Sequence, residues 1–194
     1  FGCDRTGDID YLIRVGHEFG FQAIKMEPVR VNLDDLGTQT VSSSLIRRLI
    51  AAGRVDLARM CLGRPYELLG PIVVGTRRGR TIGFPTANLD PGEQLRPQEG
   101  VYVTEATVDD RTYPAATVVG PAPTFGQMRP VVEAHFLGYD DGDLYGRDLR
   151  LGFYRRIRDI HKFTGAAELV PQIQRDVAAV REFFNREEKS LPCR

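Results

Sequence analysis

From Tyr66 onward the chain reads as a series of short runs rich in Val, Tyr and Phe: "YELLGPIVVG", "GVYVTEATV", "RTYPAATVVG", "PVVEAHFLGY" and "RDLRLGFYRRI". Turn-like sequences such as "DDR" and "DDGD" separate them. Runs this short cannot bury themselves. Several of them at this spacing predict an antiparallel barrel or sandwich, in which each strand covers its neighbours. Residues 165–187 then return to helical periodicity, with Leu169, Ile173, Val177, Val180 and Phe184 on one stripe. Pro171 falls inside that pattern. Proline lacks the amide donor and clashes with the preceding turn, so the main helix is expected to start near Pro171, after a separate short turn.

The first third has a different character. "DIDYLIRVGHEFG" places Ile9, Leu12, Ile13, Gly16 and Phe19 at helical spacing, and "FQAIKMEPVRV" reads as a strand interrupted or ended at Pro28. "SSSLIRRLIAAG" begins with serines able to cap a helix and closes at Gly53. "RVDLARMCLGRP" repeats the scheme with Gly63 and Pro65. Residues 1–63 therefore read as alternating helix and strand followed by two short helices, and residues 64–187 as the barrel with its helix, leaving 188–194 as a tail.

Lys+Arg and Asp+Glu each number 26, a formal net charge of zero. That argues against a nucleic-acid partner held by bulk electrostatics, and no basic-aromatic stripe is present. No apolar run is long enough to span a bilayer, which predicts no membrane partner. Cys3, Cys61 and Cys193 are odd in number and contain no CxxC pair. A disulfide framework is not expected, and a reducing cytoplasm fits.

Chemistry concentrates in "VVGTRRGRTIGFPTANL". Gly75, Gly79 and Gly83 allow positive φ and close approach of the backbone to a ligand, and amides in such a loop can cradle phosphate. Pro85 fixes the chain before Thr86. The Thr86 hydroxyl and the Asn88 amide oxygen are hard donors suited to Mg²⁺ bound together with nucleotide phosphates. The spacing alone leaves open a glycine-rich hairpin ending in a turn asparagine. Further along, alternation puts Val132, Ala134 and Phe136 on one strand face and Val131, Glu133 and His135 on the other. Glu133 is then a general-base candidate or an exposed surface carboxylate.

"GRTIGFPTANL" resembles the signature of riboflavin kinases, built around Pro-Thr-Ala-Asn. "EGVYV", "YPAATVVGPAPTFG", "VVEAHFL" and "GDLYGRDLRLGFYRRIRDIHKF" continue the resemblance, in order, over residues 66–187. It implies a Greek-key antiparallel β-barrel with a C-terminal helix. The implied reaction carries the γ-phosphoryl of ATP to riboflavin to give FMN and ADP, with Mg²⁺. The loop that includes Gly79, Arg80, Gly83 and Pro85 would hold the phosphates. Thr86 and Asn88 would lie near Mg²⁺ and Glu133 would be the base, with His135 as a structural strand residue. A barrel mouth lined by apolar and aromatic side chains would suit the isoalloxazine ring. Phe125, Tyr145 and Phe163 are candidates to line it, and Arg158 and Lys162 to make polar or phosphate contacts. Core packing or a solvated charged face is the alternative for these five. His17 and His161 read as surface residues.

"FGCDRTGD" and "VSSSLIRRLIAAGRVDLARMCLGRPY" resemble the second half of the α/β nucleotidyltransferase module that precedes the kinase in bacterial bifunctional FAD synthetases. Ser44 stands where that family usually has Thr, and Leu45 where a polar residue is common. The His-x-Gly-His-type motif of that module belongs upstream of Phe1, so the N-terminus is expected to be a cut edge of a truncated remnant. FAD formation is not expected from these residues alone. Two departures fall in the kinase part: Ala122, where relatives often carry Arg or Asn, and His161, where some carry Glu. The competing function is a barrel that binds flavin or nucleotide without catalysis, in an interaction or regulatory role. Retention of Thr86, Asn88 and Glu133 together favours the kinase.

Overall fold

The computed structural model describes residues 7–75, 78–120, 131–140, 142 and 144–190. They form two compact units, which divide between Val41 and Ser42.

In the first unit, helix α1 (Ile9–Phe19) starts at Asp8, whose side chain accepts from the Tyr11 amide. It ends at Gly20 in the left-handed conformation. Strands β1 (Arg30–Leu33) and β2 (Gly37–Thr40) make a small antiparallel hairpin. The strand expected over residues 21–31 is present only at its end. Residues 21–29 are not in a sheet, because β1 pairs with β2 alone and the described residues offer no second ladder there. Apolar periodicity cannot hold a strand without a hydrogen-bonded neighbour.

The second unit opens with helix α2 (Ser43–Ala51), capped by the Ser42 hydroxyl on the Leu45 amide, and helix α3 (Val55–Leu62), closed by Gly63 at φ 70°. Both stops fall where the serine run and the two glycines predicted them. Val55 of α3 belongs to the buried cluster of the barrel that follows.

That barrel is built from β3 (Tyr66–Val73), β4 (Ala87–Leu89), β5 (Gly100–Val108), β6 (Arg111–Gly120), β7 (Val131–Phe136) and β8 (Asp148–Arg158). All pairings are antiparallel, and the sheet closes in the order β3-β4-β7-β6-β5-β8. Strand β8 returns beside β5, the first of the three hairpin-connected strands, which is the Greek-key connection. At the β5–β6 hairpin Asp109 (φ 47°) and Asp110 (φ 60°) both take positive φ. Two such residues give the turn whose twist matches the flanking strands. Leu68, Tyr102, Val132, Ala134, Leu151 and Phe153 fill the interior. Thr104 and Thr117 are also fully buried, and their hydroxyls bond each other at 2.6 Å. Paired in this way, they avoid the cost of unsatisfied polar groups.

Helix α5 (Ala166–Ser190) lies on the barrel's outer wall, with Val180, Phe183 and Phe184 against Val103, Ala116 and Tyr154. Strand β8 carries irregularities opposite Val101/Tyr102 and Val103/Thr104, where Ile157 and Tyr154 are extra residues in the pairing. Both of these extra side chains join the cluster under α5. The helix does not begin at Pro171. It begins five residues earlier, with Pro171 inside it. The ring lies one turn in and removes a single bond, that to the Ala167 carbonyl. Ala167 and Pro171 are both exposed, so water can satisfy the freed carbonyl. No helix among the described residues is long and apolar enough to cross a membrane.

Candidate active site

The glycine segment is not an open loop. After β3 the chain makes one helical turn, α4 (Arg78–Thr81), and Gly83 reverses it at φ 85°. The Phe84 amide then donates to the Gly79 carbonyl at 2.9 Å. Of the three glycines expected to take positive φ, only Gly83 does. The other two permit close approach, but to the protein itself. A Cβ on Gly79 would lie 2.2 Å from the Phe84 carbonyl oxygen, and one on Gly75 would lie 2.2 Å from the Asn88 amide nitrogen.

These contacts deliver Pro85 and Thr86 to the start of β4. His135 on β7 reinforces them. Its Nδ1 lies 2.8 Å from the Pro85 carbonyl oxygen, which can only accept, so Nδ1 carries the proton. Its ring also meets Phe84 edge-on at 5.3 Å. His135 thus acts in the fold as a latch on this segment, in keeping with its structural reading.

Two cavities meet at Thr86. One, of about 310 Å³, opens at the barrel mouth between Ile72, Arg80, Pro85, Phe136, Tyr139 and Tyr145, with Thr86 in its wall. The other, of about 350 Å³, lies outside the barrel, between the sheet and the segment that leads into α5. Thr86, Glu133 and His135 line one end of it, and Arg158, Phe163 and Asp176 are also in its wall. The outward side of β7 is therefore the one that carries ionisable side chains, since Val132, Ala134 and Phe136 are buried inward and Glu133 and His135 line the outer cleft.

The outer cleft follows the sheet register. Asn88 pairs with Glu133, Glu133 with Val118, Val118 with Val101, and Val101 with Arg158. Five strands contribute one residue each to a row across the outer wall. Partners directly opposite on adjacent antiparallel strands project to the same face. Asn88 is only 8% exposed and packs against Gly75. At the far end Arg158 is committed to Asp176 by two bonds, Nε to Oδ1 at 2.9 Å and Nη2 to Oδ2 at 2.7 Å. Gln172 donates to the same Oδ1 at 3.0 Å.

The expected site residues thus separate. Gly79, Thr86, Glu133, Arg158 and Phe163 belong to the outer cleft, while Arg80, Pro85, Thr86 and Tyr145 belong to the mouth. A flat ring beside both Tyr145 and Phe163, as the sequence suggested, would have to occupy both cavities. Lys162 is exposed and Arg158 is ion-paired, so Arg158 is a structural partner of α5 before it is a phosphate ligand. Phe125 and Ala122 lie outside the described residues. His17 is exposed, and His161 is exposed at the rim of the outer cleft. Sequence reasoning missed Asp176. Its signal was available: Leu169, Ile173, Asp176 and Val180 share one helical stripe, and a carboxylate there must meet a partner.

A test of the turn follows from its geometry. An alanine at Gly79 puts a methyl group onto a backbone oxygen, so Thr86 must move. If Thr86 serves a reaction at this site, Gly79→Ala is expected to lower its turnover by on the order of 10²-fold, the usual cost of misplacing a positioning group by about an ångström. Steady-state kinetics on the folded variant check this. A loss below about threefold, far under that cost, would show that the turn does not position Thr86.

The riboflavin kinase (flavokinase) family profile matches residues 62–184. A bifunctional riboflavin kinase/FMN adenylyltransferase of Pseudomonas fluorescens is 36% identical over 182 residues, covering 93% of this chain and 57% of that protein. The chain thus spans little more than half the length of this curated relative. A crystal structure described as a macrolide-efflux protein from Streptococcus pneumoniae superposes with a TM-score of 0.80 at 34% identity, over 93% of this chain and 57% of that one. Riboflavin kinase from Trypanosoma brucei superposes with a TM-score of 0.50 at 26% identity, over 64% of this chain and 83% of that one.

Proposed function

The chain belongs to the riboflavin kinase family, and from that membership we propose that it transfers the γ-phosphoryl group of ATP to the terminal ribityl hydroxyl of riboflavin, giving FMN and ADP. The observation that carries this reading is the position of Thr86 in the shared wall of two cavities, with Glu133 facing only the outer one. A reaction between two substrates needs two pockets that touch at one point, with the base on the acceptor's side. ATP is assigned to the mouth, where Arg80 offers a cation to its phosphates. Riboflavin is assigned to the outer cleft, whose largely apolar wall suits a flat ring.

Glu133 accepts the proton of the ribityl hydroxyl through a carboxylate oxygen. The hydroxyl oxygen then bonds to the γ-phosphorus, and the bond to the β–γ bridging oxygen breaks to release ADP. Thr86 and Asn88 fit Mg²⁺ by donor chemistry: a hydroxyl and an amide oxygen, two residues apart, with Asn88 held in place by the space that Gly75 leaves. A bound Mg²⁺ would supply neutralisation of phosphate charge. His135 keeps the Pro85 carbonyl fixed, and so holds Thr86 where the cavities join. Phe163 lies at the other end of the cleft, where its ring centroid is 5.9 Å from the Arg158 guanidinium carbon.

We further assign residues 1–63 to a nucleotidyltransferase-derived segment, so that a longer protein carrying this sequence would also adenylylate FMN to FAD. The test of the main reading is direct. Purified chain with riboflavin, ATP and Mg²⁺ should form FMN, separated chromatographically and identified by mass. Tight riboflavin binding with no FMN formed would replace the kinase by a binding barrel without catalysis.

A further inference from the structure

The outer cleft has two polar ends and an apolar middle. Thr86 and Glu133 make one end. Val118 and Val101, the next residues in the register row, form the middle of the sheet wall, and Ile160 and Ile173 face the same cavity. Arg158 and Asp176 make the other end. Three strand spacings separate Glu133 from Arg158, roughly 14 Å along the sheet. Burying this ion pair in an apolar wall brings a desolvation penalty that its mutual attraction does not reliably offset. Asp176 is 6% exposed and Arg158 is 18% exposed at the side chain. A pair placed there has a reason beyond stability.

Its unused hydrogen-bonding capacity indicates one. An ionised carboxylate offers about four acceptor positions. Asp176 uses three: two on Oδ1, from Arg158 and Gln172, and one on Oδ2, from Arg158. Arg158 has about five N–H groups and uses three, the last on the Asp159 carbonyl oxygen. One acceptor and two donors are left at the end of an apolar slot.

We propose that the Arg158–Asp176 pair recognises the carbonyl–imide–carbonyl edge of the flavin pyrimidine ring, accepting from its N3–H and donating to the flanking oxygens. This rests on the assignment of riboflavin to the outer cleft and adds an orientation to it. The ring lies over Val118 and Val101 with its polar edge at Arg158, and the ribityl chain extends to Glu133. The pair is a specificity determinant, remote from the reacting atoms. The other polar groups facing the cleft are Thr86, Glu133, His135 and His161. Thr86 and Glu133 stand at the opposite end, and His135 is already bonded through Nδ1 to Pro85.

The experiment compares riboflavin with 3-methylriboflavin, which lacks the N3 proton, by fluorescence quenching on the full chain. A hydrogen bond to a charged acceptor predicts that the methylated ligand binds wild type at least about 10-fold more weakly. In Asp176→Asn the ratio should fall to within about threefold, since the charged acceptor is gone. If that variant fails to fold by circular dichroism, Asp176→Ser, which also lacks the charged acceptor, takes its place with the same expectation. Equal binding of the two ligands by wild type would overturn the proposal. So would discrimination that survives in the folded variant, because N3 would then be read elsewhere. Failure of wild type to bind riboflavin at all would instead bring down the assignment of the cleft to flavin.

Discussion

Glu133→Gln is expected to slow single-turnover phosphorylation by ~10²–10⁴-fold, the usual contribution of a general base, while riboflavin and ATP still bind. The amide keeps the shape of the side chain and loses the proton acceptor. Its row partners Asn88 and Val118 are held by the backbone ladder, so the wall of the cleft survives the substitution. Rapid-quench measurement of FMN gives the chemical step, and flavin fluorescence gives the binding. A drop of less than about threefold, well under that contribution, removes Glu133 from the mechanism. Loss of flavin binding with a proportionate loss of rate makes it a binding residue instead.

Thr86→Ala should cost on the order of 10²–10³-fold in turnover, as does removal of one preorganised group at a site of developing charge. The side chain is half-buried at the start of β4, so the fold should survive. The same position is in the wall of both cavities, and that yields a second signature. Alanine should raise the Mg²⁺ concentration needed for half-maximal rate, and Thr86→Ser, which restores the hydroxyl, should recover most of the activity. An alanine variant with unchanged turnover and unchanged Mg²⁺ dependence would remove Thr86 from the metal and phosphate site.

Much of the barrel was legible because its signals are local. The β5–β6 turn announced itself in "DDR", and period-two alternation separated Glu133 from Val132 and Ala134. Gly53 and Gly63 marked helix ends through a conformation that other residues resist. What escaped was set by partners distant in sequence. The three residues of β4 are a strand only because β3 and β7 flank them, and nothing in "TANLD" states this. The division of the site was hidden for a related reason. Tyr145 and Phe163 both read as ring-binding aromatics, but only closure of the sheet makes one a residue of the mouth and the other a residue of the outer wall. Pro171 was read by its intrinsic preference, which exposure of the freed carbonyl overrode. Arg158 was legible as a cation, while its partner on α5 lay 18 positions away.

The two extra residues in β8 make the chain's length there part of its chemistry. Counting from Phe153, which pairs with Thr104, Arg158 reaches Val101 only because Tyr154 and Ile157 are each passed over in the pairing. Deleting either would remove its bulge and leave Arg158 opposite Val101, because a passed-over residue takes no partner in the ladder. Deleting both would keep every pair from Phe153 to Arg158 and remove two of the side chains that seat α5. The extra length thus serves the helix: it supplies side chains that seat α5, the element that carries Asp176, while Arg158 keeps its place in the row.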